Sequence, residues 1–285
     1  MKRVIAAVAA FALVLTACSS EDEPAQATSG DVLIGIRAST DPAVGDDRLL
    51  FGVNEINGTR RGSPDELVSV VAHSLEAPDD KIQADAVFTW IVPGAVGLYR
   101  ATVPFSRPGI WEVDFTISTG EETEPFLIDI QAEPQTVAIG ELAPRVKTPT
   151  LADRPIEDLT TDADPLPVLY ESSLDELLDN GQKTVAIFAT PAFCVSATCG
   201  PLVNQTKEIL AVTPDVNFIH IEVYEGFNEA GFAPDAEHLA PAVLTYGLPS
   251  EPWMFVMDES GVVMARIEGV LGDGELETLL AVNGS

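Results

Sequence analysis

Seven short runs rich in Val, Ile, Phe, Trp and Tyr between Asp31 and Ala132 constrain this chain more than any other feature. They read VLIGIRA, RLLFGVNE, LVSVVAHSL, AVFTWIV, LYRATVPF, IWEVDFTIS and PFLIDIQA. Turn material separates them, including Asp-Pro, Asn-Gly, Pro-Gly and Arg-Pro-Gly. β-Branched and aromatic side chains suit a pleated, half-buried surface. Several runs alternate: Trp111, Val113, Phe115 and Ile117 fall on one side, Glu112, Asp114, Thr116 and Ser118 on the other. A period of two places one set in a core and the other in water. Seven such strands in about 100 residues predict an antiparallel sandwich over residues 31–132.

Within that region GLYRATVPFSRPGIWEVDF resembles the Tyr- and Trp-bearing hairpin of bacterial immunoglobulin-like periplasmic domains. The region holds no cysteine, so the likeness is to the disulfide-free kind.

The chain opens MKRVIAAVAAFALVLTACSS. Lys2 and Arg3 precede an unbroken apolar run from Val4 to Leu15, which is too short to span a bilayer and fits a secretory signal. Leu15-Thr16-Ala17-Cys18 resembles a bacterial lipobox. That resemblance implies removal of residues 1–17, a lipid on Cys18, and attachment to the outer face of the plasma membrane. Residues 18–30 are polar, without periodicity, and read as a flexible tether.

The formal net charge is −30. Residues 1–17 hold two bases and no acid, so the remainder is more acidic still. A chain this acidic excludes nucleic acid and anionic lipid surfaces as partners.

Residues 133–167 carry six prolines and an acidic run, and read as a linker. Its centre, IGELAPRVKTPTLAD, resembles the segment that leads into thiol-peroxidase and thioredoxin-like lipoprotein domains. Residues 168–285 then alternate. Ser172–Gly181, Leu202–Val212, Ala236–Tyr246 and GELETLLAV are expected as helices. TVAIFAT, VNFIHIEVY, PWMFVMD and GVVMARIEG are expected as strands, after a short possible strand at 168–170. This order predicts a mixed sheet with helices on both faces.

Two stretches of this segment, VAIFATPAFCVSATCGP and GLPSEPWMFVMDESGVV, resemble the thioredoxin superfamily. The resemblance implies a multidomain protein: an all-β immunoglobulin-like sandwich joined to an α/β thioredoxin-like fold over 168–285. It implies that Cys194 and Cys199 form a redox pair, that Pro252 is the cis-proline, and that Ser250 and Glu251 line the adjoining substrate groove. It implies no cofactor. The chain departs from the family in its Cys-x4-Cys spacing, in Phe193 where a Trp is usual, and in lacking an acid in TVAIFAT, where Ala186 takes the place.

With Cys18 lipidated, Cys194 and Cys199 are the two cysteines left, and an even pair in an oxidising compartment reads as a disulfide or a redox dithiol. In a regular helix, positions i and i+5 lie about 7.5 Å apart along the axis and about 140° apart around it. A disulfide needs Cα atoms about 4.4–6.8 Å apart. The bond therefore requires a loop that bends back or a distorted first turn, and Pro201 favours the loop. Pro201 tolerates only a first helical turn, which starts the helix near Thr198. A helix N-terminus favours a thiolate. Either Cys194 attacks from the exposed side, or Cys199 attacks and Cys194 resolves.

The function expected is thiol–disulfide exchange with extracytoplasmic protein substrates or a redox partner protein. The alternatives are a binding or scaffold lipoprotein with an inert disulfide, and copper handling by Cys194, Cys199 and His238.

Overall fold

A computed structural model describes residues 32–281. The signal peptide, Cys18 and the tether lie outside the described residues.

All seven expected runs are strands: β1 (Leu33–Arg37), β2 (Gly45–Glu55), β4 (Val68–Ser74), β5 (Lys81–Val92), β6 (Val96–Phe105), β7 (Gly109–Ile117) and β9 (Phe126–Ile130). Two-residue strands β3 (Arg60–Arg61) and β8 (Thr123–Glu124) are added, too short for any periodicity to announce. The nine strands form one continuous sheet in the order β8-β1-β2-β6-β5-β4-β7-β9, with β3 paired to β2. Ala43 bridges Gln131 in parallel, so the chain leading into β2 meets the end of β9. The sheet thus curls on itself and nearly closes. Its interior is aromatic: Phe51 stacks on Phe115 at 3.6 Å, and Trp111 packs edge-on to Phe105 at 5.4 Å. Trp111 Nε1 donates to the Arg107 carbonyl, so the buried indole leaves no orphan donor.

The second sheet has four strands in the order β11 (Asn217–Glu222), β10 (Thr184–Ala189), β12 (Trp253–Met257), β13 (Val263–Glu268). β10 and β11 are parallel; β12 and β13 are antiparallel to their neighbours. Every residue of β10 is buried, because it has a core on each face. Ala186 and Phe188 face one with Leu174 and Tyr246, whereas Val185, Ile187 and Ala189 face the other with Leu202 and Leu276.

The fold class expected from sequence, an immunoglobulin-like sandwich joined to an independent thioredoxin-like α/β domain, is corrected here. The structure is 37% strand and 16% helix, a predominantly β molecule with two sheets and few helices. Two of the four stretches that read as helices form little of one. Ser172–Gly181 yields only α1 (Leu174–Leu178); Ala236–Tyr246 splits into a 3-10 turn (Ala236–His238) and α3 (Pro241–Tyr246). The reason is local: Pro241 restarts the backbone after Leu239 and Ala240 have taken extended conformations, and Gly181 and Gly247 stop the chain in the left-handed region. The possible strand at 168–170 is part of a 3-10 turn, Pro167–Tyr170. Only α2 (Cys199–Leu210) exceeds two turns among the described residues; α4 (Glu275–Ala281) has seven residues.

The two sheets are joined by a buried charged seam. Arg266 of β13 donates to Asp41 Oδ2 at 2.8 Å, to Thr136 Oγ1 at 2.8 Å and to Asp47 at 3.1 Å. Arg48 of β2 binds Glu275 at 2.9 Å and the carbonyls of Glu268 and Val270. Arg100 adds a second cation on Glu275 at 3.0 Å. The proline-rich segment is strapped in rather than loose: Asp41 accepts from the Gln135 and Thr136 N–H groups, and Leu142 bridges Val262.

Candidate functional site

β10 ends at Ala189 and the chain runs through a loop, residues 190–198, before α2 begins at Cys199. Thr198 is the N-cap and Pro201 falls in the first turn, where its missing N–H costs no helical bond. The loop bends back through Ala197, the only non-glycine residue with positive φ among the described residues, at 60°. Cys194 and Cys199 are disulfide-bonded with Cα atoms 6.0 Å apart, inside the range such a bond needs.

The two sulfurs are in different surroundings. Cys199 is fully buried among Leu202, Val203 and Ala189. Cys194 is half-buried, and Val195 beside it is 94% exposed. The Cys199 N–H donates to Cys194 Sγ at 3.3 Å, and Ser196 Oγ lies 3.2 Å from the same sulfur. Ser196 Oγ is also 2.7 Å from Thr198 Oγ1 and donates to the Glu251 carbonyl at 3.2 Å.

That last bond sets the expected groove residues beside the disulfide loop. The Glu251–Pro252 peptide is cis. Burial pushes the Glu251 carboxyl above the usual range. Ser250 lines the same cleft as Ser196 and Glu251, and its Oγ donates to Glu268 at 2.6 Å and accepts from Trp253 Nε1 at 3.0 Å. Thr40, from the loop between β1 and β2, donates to the same Glu268 carboxylate and stands 3.0 Å from Ser250 Oγ. Burial holds Glu268 above the usual carboxylate range despite these donors. Thr40 and Glu268 carry no mark in the sequence: they are 228 residues apart and share no local pattern.

Phe193 turns away from this side. It packs on Phe232 at 5.1 Å, which in turn meets His238 at 5.0 Å. His238 Nδ1 is engaged by Asp235 at 2.8 Å, and two residues of that aromatic chain stand between it and Cys194. Among the described residues, no group of three or more His, Cys, Asp or Glu is placed to hold a metal ion.

A buried polar cluster sits behind the loop. Glu222 ends β11 opposite Ala189, and accepts from the N–H and hydroxyl of Thr161 at 2.8 Å each. Thr161 Oγ1 in turn accepts from the Ala192 N–H, which pins the loop before Cys194. Burial pushes the Glu222 carboxyl up, and pushes His220, 2.7 Å from Tyr170 Oη, down to about 4.

No family model matches the chain, and no curated protein matches it. Among solved structures it is similar to the Lin-41 filamin domain, with 14% identity over 36% of this chain and 95% of that one and a TM-score of 0.24.

Proposed function

We infer that the protein carries out thiol–disulfide exchange on protein substrates outside the cytoplasm, through Cys194 and Cys199. One observation supports this above the others. The main-chain N–H of Cys199, at the start of α2, donates to the half-exposed sulfur of Cys194 at 3.3 Å, while the Cys199 side chain is buried behind it. A donor so placed stabilises a thiolate once the bond is reduced. Cys194 is then the attacking sulfur and Cys199 the resolving one.

In the reductive direction the Cys194 thiolate attacks a substrate disulfide. A mixed disulfide forms and one substrate sulfur leaves as thiolate, to be protonated by water. Cys199 loses its proton, attacks Cys194 Sγ, closes the internal bond and releases the second substrate sulfur. Two electrons pass from the dithiol to the substrate; the reverse sequence oxidises a substrate dithiol. The lipobox-like start would tether the protein by a lipid on Cys18 to the outer face of the membrane, where such substrates are found.

Alkylation rate against pH for the reduced protein, with the reduction potential of the pair, tests the reading. Cys194 is expected to titrate below the free-thiol value of about 8.5. The potential is expected above about −300 mV, the bound for structural disulfides. A potential below that bound with no thiol titrating early would leave an inert disulfide in a binding or scaffold protein.

A further inference from the structure

The outer face of an antiparallel sheet with a single core is normally polar. Here it is not. Ile36 of β1 pairs across Gly52 of β2, and a Cβ built on Gly52 would stand 3.4 Å from Leu98 of β6. Ile36 is 43% exposed. Two positions along β2 on the same face, Leu50 is covered by the second sheet, close enough that a Cβ on Gly269 would meet its Cδ2 at 2.7 Å. The apolar strip therefore begins under the junction of the sheets and continues into the open.

That open part is the floor of a cleft of about 380 Å³. Ser196, Thr198 and Glu251 close one end, beside the disulfide; Arg60 and Arg61 stand at the other. From Leu50 to Asn54, which pairs with Arg60, β2 advances four residues, about 13 Å at 3.3 Å per residue. An extended segment of about four residues has the same length. Arg61 is answered by Glu55 at 3.5 Å and Glu121 at 3.4 Å. Arg60 has no carboxylate in ion-pair range among the described residues. In a chain of net charge −30, an exposed, unanswered arginine at the mouth of an apolar cleft is the complement of an acidic group on a partner.

We propose that this cleft seats an extended polypeptide segment that presents its cysteine sulfur to Cys194 and, farther along the chain, a carboxylate to Arg60. The inference rests on the exchange reading and adds the substrate class. It also makes the first sheet the wall of the cleft opposite the disulfide.

The test uses the full chain carrying Cys18→Ser and Cys199→Ser, so that Cys194 is the sole thiol. Two peptides of identical apolar residues each carry one cysteine activated as its thionitrobenzoate disulfide. One has aspartate at least four residues from the cysteine, the other lysine. Thionitrobenzoate release is expected about tenfold faster from the aspartate peptide. Arg60→Glu should abolish or invert that preference, and Ile36→Lys should slow both peptides, each rate being read relative to that of the same variant with the small uncharged disulfide 2,2′-dithiodipyridine. Equal rates for the two peptides, or a preference that survives Arg60→Glu, would overturn the proposal. If Arg60→Glu loses reactivity toward the small disulfide, Arg60→Gln decides between the same outcomes. An activated disulfide reacts with any accessible thiol, so the peptide ratio is read even if Cys194 titrates as an ordinary thiol. That second result would sink the exchange reading alone.

Discussion

Ala197 shows how one residue carries the site. An L side chain in the left-handed region costs roughly 1–2 kcal/mol, and only glycine escapes it. The cost is tolerated because the loop must return Cys194 to the helix start. Ala197→Gly removes the steric strain but loosens the unfolded chain by about 0.4–1 kcal/mol. The net expectation is a gain of about 0.5 kcal/mol for the oxidised protein, seen as a higher urea midpoint with an unchanged slope. A fall in the midpoint would show that the bend is not strained. The need for a bend was legible at this scale: a five-residue step between the cysteines, with Pro201 two beyond, forbids a bond across a regular helix. Which residue would take the bend was not, because alanine carries no sequence mark of positive φ.

Among the elements, the strands were far more legible than the helices. A strand with one wet face repeats every second residue, and the seven runs did so. The helices of residues 168–281 are mostly short, and capping residues such as Ser173 and Gly247 mark where a helix stops as readily as where one runs. β11 adds a pH dependence. Burial, against a hydrogen bond to the Ala189 carbonyl, lowers His220 from 6.5 to about 4. Between those values the unfolded chain takes a proton that folded His220 refuses, so stability falls as pH falls, by up to about 1.4 kcal/mol per pH unit. Glu222, raised by burial, acts in the opposite sense: its folded form binds a proton first, so its contribution is lost as pH rises through its folded value. Comparing denaturation of wild type and His220→Gln from pH 6.5 to 4 isolates the histidine. The variant should show the shallower loss; parallel curves would mean that His220 is not held neutral.

At the scale of the whole molecule, the seam between the sheets governs both stability and the cleft. Burial outweighs Arg266 at Asp47 and holds that carboxyl above the usual range, whereas at Glu275 the two arginines and the Gly272 N–H outweigh burial and hold it below. Arg266→Met would leave Asp41 and Asp47 facing each other without their cation. Removing one partner of a buried pair costs about 3–5 kcal/mol. Chemical denaturation should show a loss of that size; a loss under about 1 kcal/mol would mean that the seam is held by packing alone.

The sequence by itself determined the strands of the first sheet, the cysteine pair, the bend between them and the helix that starts at Cys199. Each follows from short-range rules: side-chain period, proline geometry and the reach of a disulfide. It misled on fold class, because local helix signals do not measure how long a helix runs. The tertiary structure alone decided that the first sheet curls into a near-closed body, that Arg266 and Glu268 bind it to the second, and that an apolar strip with Arg60 at its far end lies beside Cys194. Those partners are up to 228 residues apart, and a contact at that separation is set by how whole sheets pack rather than by any pattern along the chain.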